Sequence, residues 1–198
     1  MTDGKNLDDR ALDVLFRDAR THNGWQDKGV ADSLLRALFD LLKWGPTSAN
    51  CLPMRVLFVK TKEAKERLKP HLMEGNIAKV MAAPVTAIIG YDLKFYEHLP
   101  KLFPHTNAKS WFVGNEKLIH DTAFRNGTLQ GGYLILAARA LGLDCGPMSG
   151  FNIDGVKAEF FPDDDVMPNF ICSLGYGDPS KLFPRSPRFD FDDVCKII

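Results

Sequence analysis

The sequence carries no net charge: 25 lysines and arginines balance 25 aspartates and glutamates. Proteins that bind nucleic acid usually carry a net basic field, so no nucleic-acid partner is expected. Long apolar runs are also missing. No stretch reaches the roughly 18 apolar residues of a membrane helix, and the nearest, residues 80–91, is short and contains Pro84. The start, residues 1–10, is polar and acidic, unlike a secretory signal. Cysteine is scarce, with Cys51, Cys145, Cys172 and Cys195 far apart and no Cys-x-x-Cys pair. That usage points to reduced thiols in the cytoplasm.

Several catalytic signatures are absent. Gly175-Tyr176-Gly177 starts like a dinucleotide-binding fingerprint, but its sixth position is Ser180. The chain then ends too soon for the rest of a strand–helix–strand unit. There is no phosphate-loop lysine motif and no Gly-x-Ser-x-Gly elbow. The five histidines, His22, His71, His98, His105 and His120, lack the clustering that zinc requires, so no metal is expected. Cys51 is a possible nucleophile, but no local feature would lower its pKa, which favours a small buried thiol.

What is present is a chain of 198 residues, 45% hydrophobic and 11% aromatic, enough for one sizeable core. Residues 8–19 repeat apolar side chains at helical spacing, with Asp8 as a candidate cap. Residues 32–44 form a second amphipathic pattern, stopped by Gly45 in a left-handed position and by Pro46. Strands are expected at residues 55–60, 85–91 and 169–176, and a charged surface helix at 61–72. Residues 93–115 are irregular and aromatic, and loops this long are often functional. Residues 120–143 give the longest helical pattern, ended by Gly142 and Gly146. Gly127, Gly131 and Gly132 inside it suggest close approach by another backbone, because each glycine costs a helix up to about 1 kcal/mol. The tail, residues 179–198, is apolar among prolines and charges, so it must lie on its own domain or on a partner subunit. The pattern reads as α+β.

Two polar loops follow apolar elements: Gly45-Pro46-Thr47-Ser48-Ala49-Asn50 and Gly146-Pro147-Met148-Ser149-Gly150. Exposed amides and hydroxyls at the end of a rigid element suit a planar polar ligand. Arg17 with Arg20, and Arg185 with Arg188, are candidates for holding a phosphate.

Five segments in order resemble the nitroreductase family of FMN-dependent oxidoreductases. They are Ala19-Arg20-Thr21-His22-Asn23, residues 44–53 from Trp44 to Pro53, Asn76 with Lys79, residues 140–151 around Gly146-Pro147-Met148-Ser149-Gly150, and Arg185 with Arg188. Within the family, Ala19 to Trp25, Lys43 to Asn50 and Gly146 to Phe151 resemble the subgroup that reduces malonic semialdehyde to 3-hydroxypropionate in bacterial pyrimidine catabolism.

The resemblance implies a nitroreductase-like central sheet flanked by helices. It implies an intertwined homodimer with two FMN sites at the interface, residues 1–178 forming the FMN-binding domain and residues 179–198 an arm that crosses to the partner. It places Arg20, His22, Arg185 and Arg188 on the phosphate side. Asn76 and Lys79 would face the pyrimidine ring or ribityl chain, and Pro147, Met148, Ser149 and Gly150 would face flavin N5. Pro46, Thr47, Ser48 and Asn50 would approach from the other subunit. The implied reaction is ping-pong: NADH or NADPH delivers hydride to the flavin, and a small carbonyl, nitro or quinone substrate takes it up. No side-chain general acid is implied. Three departures from the family pattern bear on the site: Gly24 stands where many members carry lysine, Ser149 where many carry an acid, and Leu52-Pro53-Met54 where Gln-Pro-Trp is usual. Residues 95–113 are a candidate lid, with His105, Lys109 and Arg125 as candidate partners for a substrate carboxylate. The alternatives are a broad nitro or quinone reductase, or a flavin-binding protein without turnover.

Overall fold

The structure, a computed structural model, describes residues 6–198, so half of the polar start lies outside the described residues. Helix α1 (Asp9–Leu12) is capped by the Asp8 carboxylate, which accepts the Ala11 N–H at 2.8 Å. The same helical path continues as a wider π turn, Asp13–Arg17. Helix α2 (Asp32–Leu42) buries Leu35, Leu38 and Leu42 along one stripe. Gly45 follows, but it is not left-handed. It is needed for space, since a side-chain carbon there would lie 2.8 Å from the Tyr133 ring.

A four-stranded antiparallel sheet in the order β1-β2-β4-β3 forms the centre. Its strands are β1 (Met54–Val59), β2 (Val85–Asp92), β3 (Asp144–Met148) and β4 (Val166–Gly175). Every residue of β2 is buried, because helices cover both faces of this inner strand. Strand β3 was expected to be a loop. Pro147 cannot donate to a ladder, but β3 lies at the sheet edge, where a missing donor is tolerated.

Helix α3 (Lys62–Leu68) starts on Thr61, whose side chain caps it. Helices α4 (Glu74–Ala82), α5 (Leu99–Leu102) and α7 (Ile153–Phe160) lie where no separate helix was expected. Helix α6 (Glu116–Ala140) begins four residues before the expected start, because the Asn115 side chain accepts the Leu118 N–H at 3.1 Å. It ends before Gly142, which is left-handed at φ 75°. Helix α8 (Phe191–Val194) is a single turn in the tail.

Two glycines of α6 allow the close approach expected, and what approaches is the chain's own sheet. A side-chain carbon at Gly127 would lie 2.9 Å from Tyr91 Cβ, and one at Gly131 would lie 2.6 Å from the Phe170 ring. Both glycines let the helix settle onto its own sheet, whereas Gly132 faces open space. One core cluster fills the α2–α6 side of the sheet, and a second lies under α3, α4 and α7. A third is built largely from residues 93–112: Phe95, Tyr96, Leu99, Ala108 and Phe112 are buried with Tyr91 and Cys51. That segment therefore packs as a small apolar unit of its own. Among the described residues, no helix is long and apolar enough to cross a membrane.

Candidate functional site

The motifs of the sequence collect at two places, one at each edge of the sheet. At the β3 edge, the segment from Ala19 to Trp25 is laid alongside the strand. Thr21 bridges Cys145, and the His22 N–H donates to the Cys145 carbonyl at 2.9 Å. Gly146 permits this approach, since a side-chain carbon there would lie 2.7 Å from the His22 carbonyl oxygen. Helix α4 closes the same edge. Asn76 Nδ2 donates to the Gly150 carbonyl at 2.9 Å, and Trp25 Nε1 donates to the Lys79 carbonyl at 3.1 Å. Arg20, Asn76, Lys79 and residues 147–150 thus border one strip that runs the length of β3, about 17 Å at strand spacing.

The chemistry of this strip is cationic. Lys79 is half-buried, its Nζ 3.4 Å from Asn76 Oδ1. Arg20 donates to the Phe183 carbonyl and Arg185 to the Ala19 carbonyl, so the start of the tail lies against the segment. Arg188 is exposed and donates only to its neighbours, Ser186 and Pro187. None of Arg20, Lys79, Arg185 and Arg188 has a carboxylate partner among the described residues. Cations with no carboxylate partner suit an anionic ligand.

The His22 side chain is turned inward. Its ring is buried at 7% exposure, with Nε2 3.4 Å from Asp144 Oδ1 and Nδ1 without a partner among the described residues. The ring fills the space beside Gly177, where a side-chain carbon would lie 1.9 Å from Nδ1. It packs between the segment and the contact of Asp144 with Gly177, whose N–H donates to the Asp144 carboxylate at 2.8 Å. Met148 likewise points its side chain into the second core cluster, and Ser149 is exposed.

The second place is the loop before β1. Pro46, Ser48 and Asn50 are exposed and Thr47 is half-buried. Ala49, Asn50 and Leu52 have φ of 49°, 48° and 39°, a left-handed conformation that non-glycine residues rarely adopt. Thr47 Oγ1 accepts the Leu52 N–H at 3.2 Å, Asn50 Nδ2 donates to the Leu102 carbonyl at 2.9 Å, and Asn126 Oδ1 accepts the Ser48 N–H at 2.9 Å. Cys51 lies fully buried beneath this loop. Within one chain the loop sits at the β1 edge, three strand spacings or about 14 Å from β3. It is not brought onto the strip.

Sequence reasoning missed Trp25, Asn126 and Gln130. The only signal for the last two was a pair of amides one turn apart in an otherwise small-residue stretch of α6. Of the candidate carboxylate partners, Lys109 is paired with Glu97, and His105 lies edge-on to Phe103 with ring centroids 5.4 Å apart.

The nitroreductase family model matches residues 17–176 of this chain. A Burkholderia lata protein provisionally named NADH dehydrogenase/NAD(P)H nitroreductase is 65% identical over 191 residues, 96% of this chain and 98% of its own. A Cupriavidus pinatubonensis protein with the same provisional name is 59% identical over 94% of this chain and 96% of its own. Among solved structures, a provisionally named nitroreductase from Exiguobacterium sibiricum in complex with FMN superimposes with a TM-score of 0.85 at 19% identity, covering 98% of each chain. At that identity the likeness shows the fold.

Proposed function

Since the chain belongs to the nitroreductase family, we propose that it is an FMN-dependent NAD(P)H oxidoreductase acting as a homodimer. The observation that carries the reading is the division of the site. A strip of cations with no carboxylate partner among the described residues, together with the Asn76 amide, occupies one edge of the sheet, and a polar, exposed loop occupies the other. A twofold dimer with its site at the interface supplies the loop of one subunit to the strip of the other.

The strip fits FMN. Arg20 and Arg185 lie near the start of β3, and Asn76 lies near its end beside Gly150. A phosphate needs the first kind of group and a pyrimidine ring the second, over a span comparable with an extended flavin. Arg20, Arg185 and Arg188 would hold the phosphate, Asn76 and Lys79 the pyrimidine or ribityl side, and the amides of Ser149 and Gly150 the N5 edge. Pro46, Thr47, Ser48 and Asn50 would come from the partner. Bound FMN supplies the hydride relay between nicotinamide and acceptor. Lys79 would place its side chain beside the pyrimidine ring, where a cation favours the reduced flavin.

For the acceptor, the motifs shared with the malonic semialdehyde subgroup support a small carbonyl acid, reduced to 3-hydroxypropionate. The names of the close relatives support the second reading, a nitro or quinone reductase. Purified protein is expected to be yellow and to bleach anaerobically with NADH or NADPH. The ratio of kcat/KM for malonic semialdehyde to that for a nitroarene then decides between the acceptors. Protein that is colourless and takes up no FMN overturns the cofactor assignment. Yellow protein that does not bleach at enzyme-like rates is a flavin carrier.

A further inference from the structure

The loop before β1 holds three non-glycine residues, Ala49, Asn50 and Leu52, in the left-handed region. This region is disfavoured for L side chains, and such a conformation persists only where the surroundings over-determine it. Two buried amides of α6 meet the backbone at both ends of this loop. Asn126, 3% exposed, accepts the Ser48 N–H at 2.9 Å and returns its own amide to the Thr122 carbonyl at 2.8 Å. Gln130, 4% exposed and one turn further on, accepts the Met54 N–H at 3.0 Å. Neither amide touches the strip at the β3 edge.

We infer that Asn126 and Gln130 are positioning residues that hold residues 46–54 in the shape presented to the flavin of the partner subunit. The inference rests on the function proposed above. A leucine or alanine at either position would leave a backbone N–H without its acceptor, and the left-handed turn would relax toward ordinary conformations. Pro46, Ser48 and Asn50 would then leave their places without any change in the residues themselves.

The test measures FMN dissociation by flavin fluorescence in the parent, Asn126→Leu, Asn126→Asp, and Asn126→Leu combined with Ala49→Gly. Losing one buried acceptor predicts FMN binding weaker by about tenfold or more in Asn126→Leu. Asn126→Asp keeps an oxygen acceptor for Ser48 but loses the donor to the Thr122 carbonyl, so it should restore part of the affinity. Ala49→Gly removes the cost of the left-handed turn, so it should recover affinity in the Asn126→Leu background while changing the parent little. An amide that only stabilised α6 would not be rescued by a glycine in the loop. Should Asn126→Leu fail to fold, Gln130→Met removes the other acceptor at similar shape and carries the same expectation. A yellow parent whose variants all bind FMN equally overturns the clamp alone. So does a loss in Asn126→Leu that is absent neither from Asn126→Asp nor from the double variant with Ala49→Gly. A parent that binds no FMN overturns the clamp together with the cofactor assignment.

Discussion

Cys51 is fully buried beneath the loop that precedes β1, and the lost solvation pushes its thiol up to about 11. Below that pH it stays protonated, and only the thiolate is nucleophilic. Cys172 is raised in the same direction by its hydrogen bond with Cys145 and by burial, while Cys195 in the tail is exposed. Iodoacetamide at pH 8 is therefore expected to label Cys195 alone in the native protein and all four thiols after unfolding. Mass spectrometry reads this directly, and fast labelling of native Cys51 would return it to the list of nucleophiles. Arg20 tests the cofactor side. If it pairs with a phosphate, Arg20→Ala should weaken FMN binding by about tenfold to a hundredfold, and an unchanged dissociation constant would remove it from the site. The motif around Arg20 was legible only through its resemblance to the family, since an arginine near a helix end is otherwise usually just solvated. The inward turn of His22 was not legible. It depends on the space beside Gly177, a contact more than 150 residues away in the chain.

At the scale of elements, long and strongly periodic segments could be read from the sequence. Helices α2 and α6 and strands β1, β2 and β4 lie within a few residues of their expected positions. The missed pieces are short or carry mixed signals. Strand β3 contains a glycine and a proline, α4 places Gly75 and Asn76 in its first turn, and α7 is only eight residues long. Their structure comes from tertiary pairing, so local propensity says little about them. The α6 glycines show the same limit. Small residues in a helix were readable as close packing, but the partner, Tyr91 and Phe170 of the same chain, was not. Gly131→Ala should cost about 1–3 kcal/mol by overpacking against the Phe170 ring. Gly75→Ala, with nothing within 4 Å of the added carbon, should instead stabilise by up to about 1 kcal/mol. Urea midpoints of the two variants test this, and equal shifts would show that the Phe170 contact is not limiting.

For the whole molecule, the unsolved quantity is what the apolar tail covers. Phe189 is 79% exposed and Ile197 91%, and Phe191, Val194 and Ile198 are exposed as well. Such a run rarely stays in water in a soluble chain. The same chain also leaves a groove of about 810 Å³ between α2 and the edge strand β1, with Leu35, Phe39, Val56 and Phe58 on its walls and Arg36, Arg55 and Lys60 beside them. The tail spaces Phe189, Phe191 and Val194 along a short run, and this apolar spacing complements the groove; charge does not select it, since Asp32 and Asp40 also line it and Lys60 and Arg55 are paired with Asp32 and Asp92. In the homodimer proposed above, the tail of each subunit would lie on the α2–β1 face of the other. A chain ending at Arg188 keeps every candidate phosphate ligand and loses only this arm. Removing five exposed apolar side chains per subunit from an interface should raise the dimer dissociation constant by at least about a hundredfold, since each buried side chain of this size contributes roughly 1.5–3 kcal/mol. Sedimentation velocity over a dilution series reads the constant, and FMN retained at each concentration reads the site. The full chain is expected to remain a flavin-loaded dimer where the shortened chain has become a monomer that releases FMN, because a site shared between subunits cannot outlast their separation. A shortened chain with the parent's dissociation constant would place the tail elsewhere. A full-length monomer that is folded and retains FMN would overturn both the crossing arm and the shared site.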